Sequence, residues 1–393
     1  MHFSTRILLL ASAFAFTVPA LADNATPVKI GVILPMTGPS ASTGREIDAA
    51  IKLYMAQKGD KAGGRKIEIV LKDDTGVADI TKRLAQELVV NDKVSVIAGF
   101  GLTPLALAAA PIATQAKVPE VVMAAGTATI TEASPYIVRT SFTLPQNTVP
   151  IADWALKNGV KKVVTLVSDY GPGIDAEKAF SERIKAGGGQ VLDNLRAPLR
   201  NPEFAPFLQK AKDLKPDALF LFVPSGFGAQ LMKQVAERDF AKEGVKVIGT
   251  GDVTDDEQLQ GMGDAVLGMV TSMDYSVAHK SPENKAFVEA FMKANPAMRP
   301  NFMAVGGYDG MALIYGALEK TKGDTDGAKL VDAMKGMSWV SPRGPISIDP
   351  ETRDIVQNVY IRKVEKVDGQ LYNVEFETMP NVKDPVKAAK KAK

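Results

Sequence analysis

The feature that most constrains this chain is a unit recurring along its length: a short apolar run rich in β-branched residues, a polar loop, then a stretch of helical periodicity. Its first copy reads VKIGVIL at 28–34, a TGPSASTG loop after Pro35, and then REIDAAIKLYMAQKG. KIEIVLKDD (66–74), KVSVIAG (93–99) and PEVVMAA (119–125) repeat the apolar run. Periodic stretches through Leu84 and Leu88, and through Leu105 and Ile112, separate them. A strand that is apolar throughout needs cover on both faces, and the intervening helices supply it. The pattern predicts an α/β fold, with a parallel sheet covered by helices on both sides.

The alternation breaks at YIVRTSFTLPQ (136–146), which reads as an extended segment with no helix partner. It restarts with KKVVTLVSD (161–169), GQVLDNL (189–195), DALFLFV (217–223) and VKVIGTG (245–251). Helices are expected between these at 175–186, 204–214 and 230–238. Two consecutive units of the same grammar imply two similar lobes. Beyond them, LGMVTSM (267–273) and helices at 283–295 and 304–319 can extend either lobe. The closing NVYIRKVEKVDGQLYNVEF alternates around Val367, Asp368 and Gly369, the mark of a β-hairpin, so the backbone is expected to pass between the lobes more than once.

The first residues carry one cation, Arg6, an apolar run at 7–16, and small residues ending Ala20, Leu21, Ala22. That order predicts a secretory signal peptide at 1–22, because an apolar run of about ten residues is too short for a bilayer that needs roughly 20. The 393 residues contain no cysteine, so neither a cysteine-linked lipid nor a disulfide is available. A free protein in the periplasm is the expectation. A net charge of +2 on 47 basic and 45 acidic residues gives no electrostatic footprint for nucleic acid. The lysine-rich end, 383–393, reads as a frayed, solvated terminus.

Chemistry narrows by elimination. With His2 removed in the signal, His279 is the one histidine left, so thiol nucleophiles and Cys/His metal sites are excluded and no metal or cofactor is expected. His279 sits in SVAHKSPEN and reads as a surface-loop residue, with no acid nearby in sequence to orient it. Neither GxGxxG nor GxxxxGK[ST] occurs. Four loops that follow strands instead share one composition: TGPSASTG, GFGLTPLA, AAGTATIT and VPSGFGAQ. Their small residues, hydroxyls and free N–H groups suit a small anionic ligand held by neutral donors. YGPGID at 170–175 also places a helix N-terminus at a strand end, which is equally the form of a plain turn.

VKIGVILPMTGPSASTGREIDAAIKL, VSVIAGFGLTP, VTLVSDYGPGIDAEKAF, DALFLFVPSG, VIGTGDVTD and GPISIDPETRD, in that order, resemble the periplasmic binding proteins of branched-chain and hydrophobic amino-acid ABC transporters, the leucine-binding type. The resemblance spans the mature chain. It implies the type I periplasmic binding fold, with two Rossmann-like lobes and three hinge crossovers that close on a ligand. It assigns 23–140 plus 274–345 to the N-terminal lobe and 141–273 plus 346–393 to the C-terminal lobe. It further implies a monomer that serves a membrane permease and ATPase, without catalysis.

Individual positions carry over from the resemblance. Leu102 and Thr103 fall where an N–H and a hydroxyl meet the ligand carboxylate, Gly126 and Thr127 where a carbonyl and a hydroxyl are offered, Tyr170 where a ring covers the ligand, and Thr43 beside the apolar subsite. Two departures stand out. Amino-acid binders place a Glu after the strand matching VKVIGTG, whereas Gly251 stands there with Asp252 beside it, and Pro224 and Ser225 replace an aromatic. An unpaired buried ammonium costs several kcal/mol. Either Asp252 reaches an ammonium or the ligand has none, and the small-residue loops look like those of aromatic-acid binders. An aromatic acid is therefore the favoured ligand, with a branched-chain or other amino acid next. A secreted α/β hydrolase and a ligand-sensing module for a receptor are the competing readings.

Overall fold

The computed structural model describes residues 26–391, so the signal peptide expected at 1–22 lies outside the described residues. The first lobe begins with β1 (Val28–Leu34), α1 (Ala41–Lys58), β2 (Lys61–Ala62), β3 (Arg65–Asp73), α2 (Ala78–Val90), β4 (Val96–Gly99), α3 (Thr103–Ala116), β5 (Glu120–Val122) and β6 (Ile137–Arg139). These strands form one sheet in the order β2-β3-β1-β4-β5-β6, parallel except for the β2–β3 edge. Val28, Ile30, Val32, Ile33 and Leu34 of β1 are all buried, as a central strand covered on both faces requires.

The second lobe opens with α4 (Leu144–Lys157), followed by β7 (Lys162–Ser168), α5 (Gly171–Ala186), β8 (Gln190–Ala197), α6 (Ala205–Asp213), β9 (Ala218–Phe222), α7 (Gly228–Ala236), β10 (Lys246–Thr250) and β11 (Val270–Met273). Next come α8 (Pro282–Ala294), α9 (Phe302–Lys320) and α10 (Gly327–Met334), of which α8 and α9 pack on α1 and α10 packs on α9 and β6. The chain ends with β12 (Ser338–Ser341), β13 (Gly344–Ile348), β14 (Ile355–Val367), β15 (Gln370–Val382) and α11 (Pro385–Lys391). The second sheet runs β12-β13-β14-β11-β10-β9-β7-β8, with β15 added on β14. It is mixed, because β11 to β15 pair antiparallel. Asp368 and Gly369, with φ of 49° and 80°, make the expected hairpin turn.

The backbone passes between the lobes three times, after β6, after β11 and after α10. Arg343 ties these passages together from a fully buried position. Its guanidinium pairs with Asp274 at 2.9 Å and Asp309 at 2.7 Å. It also donates to the Thr140 and Ser141 carbonyls. One planar cation, itself on the third passage, thus satisfies acceptors from the first two and from α9.

Three features differ from the sequence reading. Residues 144–146, expected at the end of the extended segment, begin a helix that runs to 157: Thr143 accepts the Gln146 N–H while the Gln146 side chain accepts the Thr143 N–H, a reciprocal cap that starts the helix despite Pro145 and Pro150. Ser338–Ser341, expected in the first lobe, pair into the second sheet through β13. Of the terminus expected to fray, residues 385–391 form a helix. Lys387 is buried against Asp354 at 2.6 Å and Thr131, and Lys390 reaches Glu132, so α11 is pinned to the body.

Candidate ligand-binding cleft

In each sheet the chain leaves a central strand in opposite directions, which opens a crevice at the carboxyl ends of the neighbouring strands. In the first lobe β1 is flanked by β3 and β4; in the second, β7 is flanked by β8 and β9. The loops at both crevices border a single gap. Thr43, Gly101, Leu102, Thr103, Ala124, Ala125 and Gly126 line it from one side, and Tyr170, Pro172, Phe222, Pro224, Ser225 and Asp252 from the other, with Phe142, Leu144 and Met303. The free cavity these residues enclose is only about 20 Å³, far below the roughly 300–1,000 Å³ usual for small-molecule sites, so a ligand with a ring enters only when the lobes stand further apart.

The first lobe offers donors. The Thr103 and Thr127 hydroxyls are 2.9 Å apart. One must donate to the other, which leaves the acceptor's own proton free to point elsewhere. Thr103 is also the first residue of α3, so its N–H has no partner within the helix, and the positive end of the helix dipole faces the same point. Arg139, fully buried below the Ala124–Thr131 loop, donates to the carbonyls of Ala125, Phe142 and Thr127. The Gly126 carbonyl accepts from Leu144 N–H. With carbonyls drawn inward in this way, the loop is left to present hydroxyls and N–H groups. A Cβ at Gly126 would lie 2.5 Å from Leu144 Cδ2 and 2.9 Å from Phe142 Cε2, so the close packing requires glycine.

The second lobe adds a further helix start and the gap's one ionisable acid. Tyr170 precedes α5, and its ring stacks on Phe222 with centroids 6.1 Å apart and planes at 19°. A Cβ at Gly171 would sit 2.7 Å from Thr127 Oγ1, so the α5 start closes directly onto the threonine pair. Asp252 is 3 % exposed, and its Oδ2 accepts from Thr250 Oγ1 at 2.9 Å. Burial pushes its carboxyl up to about 7, helped by the nearby Asp255 and Asp274 charges. Ser225 is buried and faces Asp255 closely enough to favour the latter's charged form, but its hydroxyl is not aligned for a hydrogen bond.

Gly251 has a steric reason to be glycine. A Cβ there would run into Arg362 Nη2 and lie 2.6 Å from Met273 Cβ. Arg362 cannot move aside easily, since it is 1 % exposed, bonds the Tyr275 carbonyl and Thr271, and faces Asp256 at 3.8 Å. No acidic side chain fits at 251 without displacing it.

Of the eight residues singled out in the sequence, seven border the gap: Thr43, Leu102, Thr103, Gly126, Tyr170, Ser225 and Asp252. Thr127 stands behind them, bonded to Thr103. The apolar walls Phe142, Leu144, Phe222 and Met303 were not foreseen, and nothing in the sequence distinguishes them from core. A polar seam beside the gap was also missed. Across it, Asn301 Nδ2 donates to both Asp255 oxygens at 3.0 Å, its N–H reaches Glu46 Oε2 at 3.4 Å, and Ala128 N–H donates to Asp175 Oδ2 at 2.8 Å.

His279 has an acidic partner that is distant in sequence: Glu375 of β15, at 2.8 Å from Nδ1, with the Tyr360 ring against the imidazole. Long-range strand pairing supplies it. It lies outside the residues bordering the gap. Among the described residues no group of three or more His, Cys, Asp or Glu is placed to hold a metal ion. None of their helices is long and apolar enough to cross a membrane.

Comparison with known proteins adds three findings. The sequence pattern of the family described as periplasmic binding protein matches residues 27–370. The Leu/Ile/Val-binding protein homolog 6 of Brucella abortus (strain 2308) is 46 % identical, over 96 % of this chain and 98 % of its own. Two solute-binding proteins of ABC transporters share the fold at a TM-score of 0.90. One, from Rhodopseudomonas palustris BisB5, in complex with 3,4-dihydroxybenzoic acid, is 65 % identical and covers 92 % of this chain and 99 % of its own. The other, from Rhodopseudomonas palustris HaA2, in complex with p-hydroxybenzoic acid, is 45 % identical and covers 93 % and 100 %.

Proposed function

The chain belongs to the periplasmic binding protein family, the leucine-binding-like solute-binding proteins of ABC transporters, and from that premise we propose that its cleft captures a small aromatic carboxylic acid by closure of the two lobes. The observation that carries this reading is the pairing of neutral donors with the absence of any basic side chain among the residues bordering the gap. A carboxylate is held there by the Thr103 hydroxyl, to which Thr127 donates from behind, and by the starts of α3 and α5. The ring lies against Tyr170, Phe222, Phe142, Leu144 and Met303, with Thr43, Leu102, Gly126 and Ser225 completing the lining.

Gly251, packed on Arg362, leaves no room for the Glu that amino-acid binders carry there, so Asp252 is the one acid bordering the gap that an ammonium could meet. The Rhodopseudomonas proteins in complex with hydroxybenzoic acids support the aromatic reading, while the name of the Brucella relative keeps branched-chain amino acids as the alternative. Burying roughly 200 Å² of ring at about 25 cal/mol/Å² contributes on the order of 5 kcal/mol. Charge-assisted hydrogen bonds add about 1.5–3 kcal/mol each. Before ordering costs, two such bonds bring the sum to about 8–11 kcal/mol, against the roughly 8 kcal/mol of a micromolar complex. In this reading the protein is exported by its first 22 residues, acts as a monomer in the periplasm, and delivers its ligand to a membrane permease and ATPase without chemical change.

Calorimetry of the mature chain against benzoate, 4-hydroxybenzoate, 3,4-dihydroxybenzoate, leucine and valine tests the proposal. The expected result is micromolar or tighter binding of at least one aromatic acid and none of leucine or valine at the same concentration. Binding of leucine or valine alone contradicts it.

A further inference from the structure

Asp252 is the part of the gap that carboxylate capture does not use. It is the single ionisable acid among the residues bordering the gap, and it is almost fully buried. Among the described residues no cation lies within ion-pair distance of it. Arg362 feels its charge, but the guanidinium is committed to the Tyr275 carbonyl, Thr271 and Asp256. Its hydrogen bonds are local, from the Thr250 hydroxyl to Oδ2 and from its own backbone N–H. The Ser225 hydroxyl, which also borders the gap and faces Asp255, is buried without an aligned partner. A polar group held this way in an apolar, aromatic-walled gap is strongly disfavoured unless the ligand brings a partner for it.

The partner has a definable chemistry. It must donate a hydrogen bond or share a proton, and must accompany a carboxylate bound by the opposite lobe. An ammonium would do so by charge pairing, which the nearby Asp255 and Asp274 favour, but an aromatic acid carries none. A phenolic hydroxyl meets both conditions. We infer that Asp252, with Ser225 beside it, reads a hydroxyl on the ring of the ligand, so that the protein selects hydroxylated aromatic acids over benzoate itself. This rests on the aromatic-acid reading above and assigns the residue that sets selectivity within that class. A site built to hydrogen-bond a hydroxyl rejects the analogue lacking it, since its own polar groups are then left unpaired.

The test is a cycle between ligand and side chain. Calorimetric dissociation constants are measured for 4-hydroxybenzoate, 3,4-dihydroxybenzoate and benzoate on the mature wild-type protein and on Asp252→Ala and Asp252→Asn, with leucine as a further ligand. Wild type is expected to prefer one of the hydroxylated acids over benzoate by about tenfold or more. Asp252→Ala is expected to bring that preference down to about threefold or less with benzoate affinity little changed, and Asp252→Asn, which keeps an acceptor, to retain part of it. A preference that survives in Asp252→Ala, or an equal loss for benzoate and hydroxybenzoates, overturns the inference while leaving aromatic-acid capture standing. Leucine binding that depends on Asp252 overturns it in favour of ammonium pairing. Wild-type protein that binds none of the three acids contradicts the ligand class and this inference together.

Discussion

Asp252 bears on stability as well as selectivity. Its carboxyl titrates near 7 in the closed form, against the ordinary value of 3.8, and the groups facing it are Asp255, Asp274, Tyr170 and Arg362. The folded protein therefore holds a proton that the unfolded chain has already released. Stability from this group is intact below about pH 4 and falls as the pH rises toward 7. At about 1.4 kcal/mol per unit the full penalty above pH 7 is on the order of 4 kcal/mol, and opening of the lobes relieves part of it. Asp252→Asn is thus expected to be about 1–4 kcal/mol more stable than wild type at pH 8 by chemical denaturation, and no different at pH 4. A less stable variant at pH 8 contradicts the assignment. At this scale the polar lining was legible, because small hydroxyl-bearing loops after strands are uncommon outside binding sites. Phe222 and Met303 were not, since a buried apolar residue at a strand or helix end looks the same whether it faces core or ligand.

Single side chains also hold whole elements in register, and Arg343 does so for the three hinge passages. It is unexposed and paired with two buried acids, Asp274 and Asp309. Removing it leaves both without their cation, so Arg343→Met is expected to lower unfolding free energy by about 3–5 kcal/mol. A loss under about 1 kcal/mol would show that the hinge does not depend on it. None of this is visible in the sequence, where the partners are far apart. The strands were legible because fully apolar runs leave few alternatives. The helix at Leu144–Lys157 begins inside the segment read as extended at 136–146; the Thr143 and Gln146 spacing of a reciprocal cap is the signal that marks its start. The docking of α11 depends on the Lys387–Asp354 pair, a contact between distant segments that composition cannot reveal.

For the molecule as a whole, the repeated strand-loop-helix unit dictates two lobes with their strand ends facing one gap, and the closing hairpin accounts for the antiparallel edge of the second sheet. How the lobes meet is set by a few cross-seam bonds, among them Asn301 to Asp255 and Ala128 to Asp175, which no periodicity announces. The account stands on the two crevices closing around one carboxylate. A crystal structure of the mature chain grown with 4-hydroxybenzoate tests this most directly. The expected result is the carboxylate within about 2.5–3.0 Å of the Thr103 hydroxyl, with the ring between the lobes. Ligand density elsewhere, or a carboxylate turned toward Asp252, would contradict it.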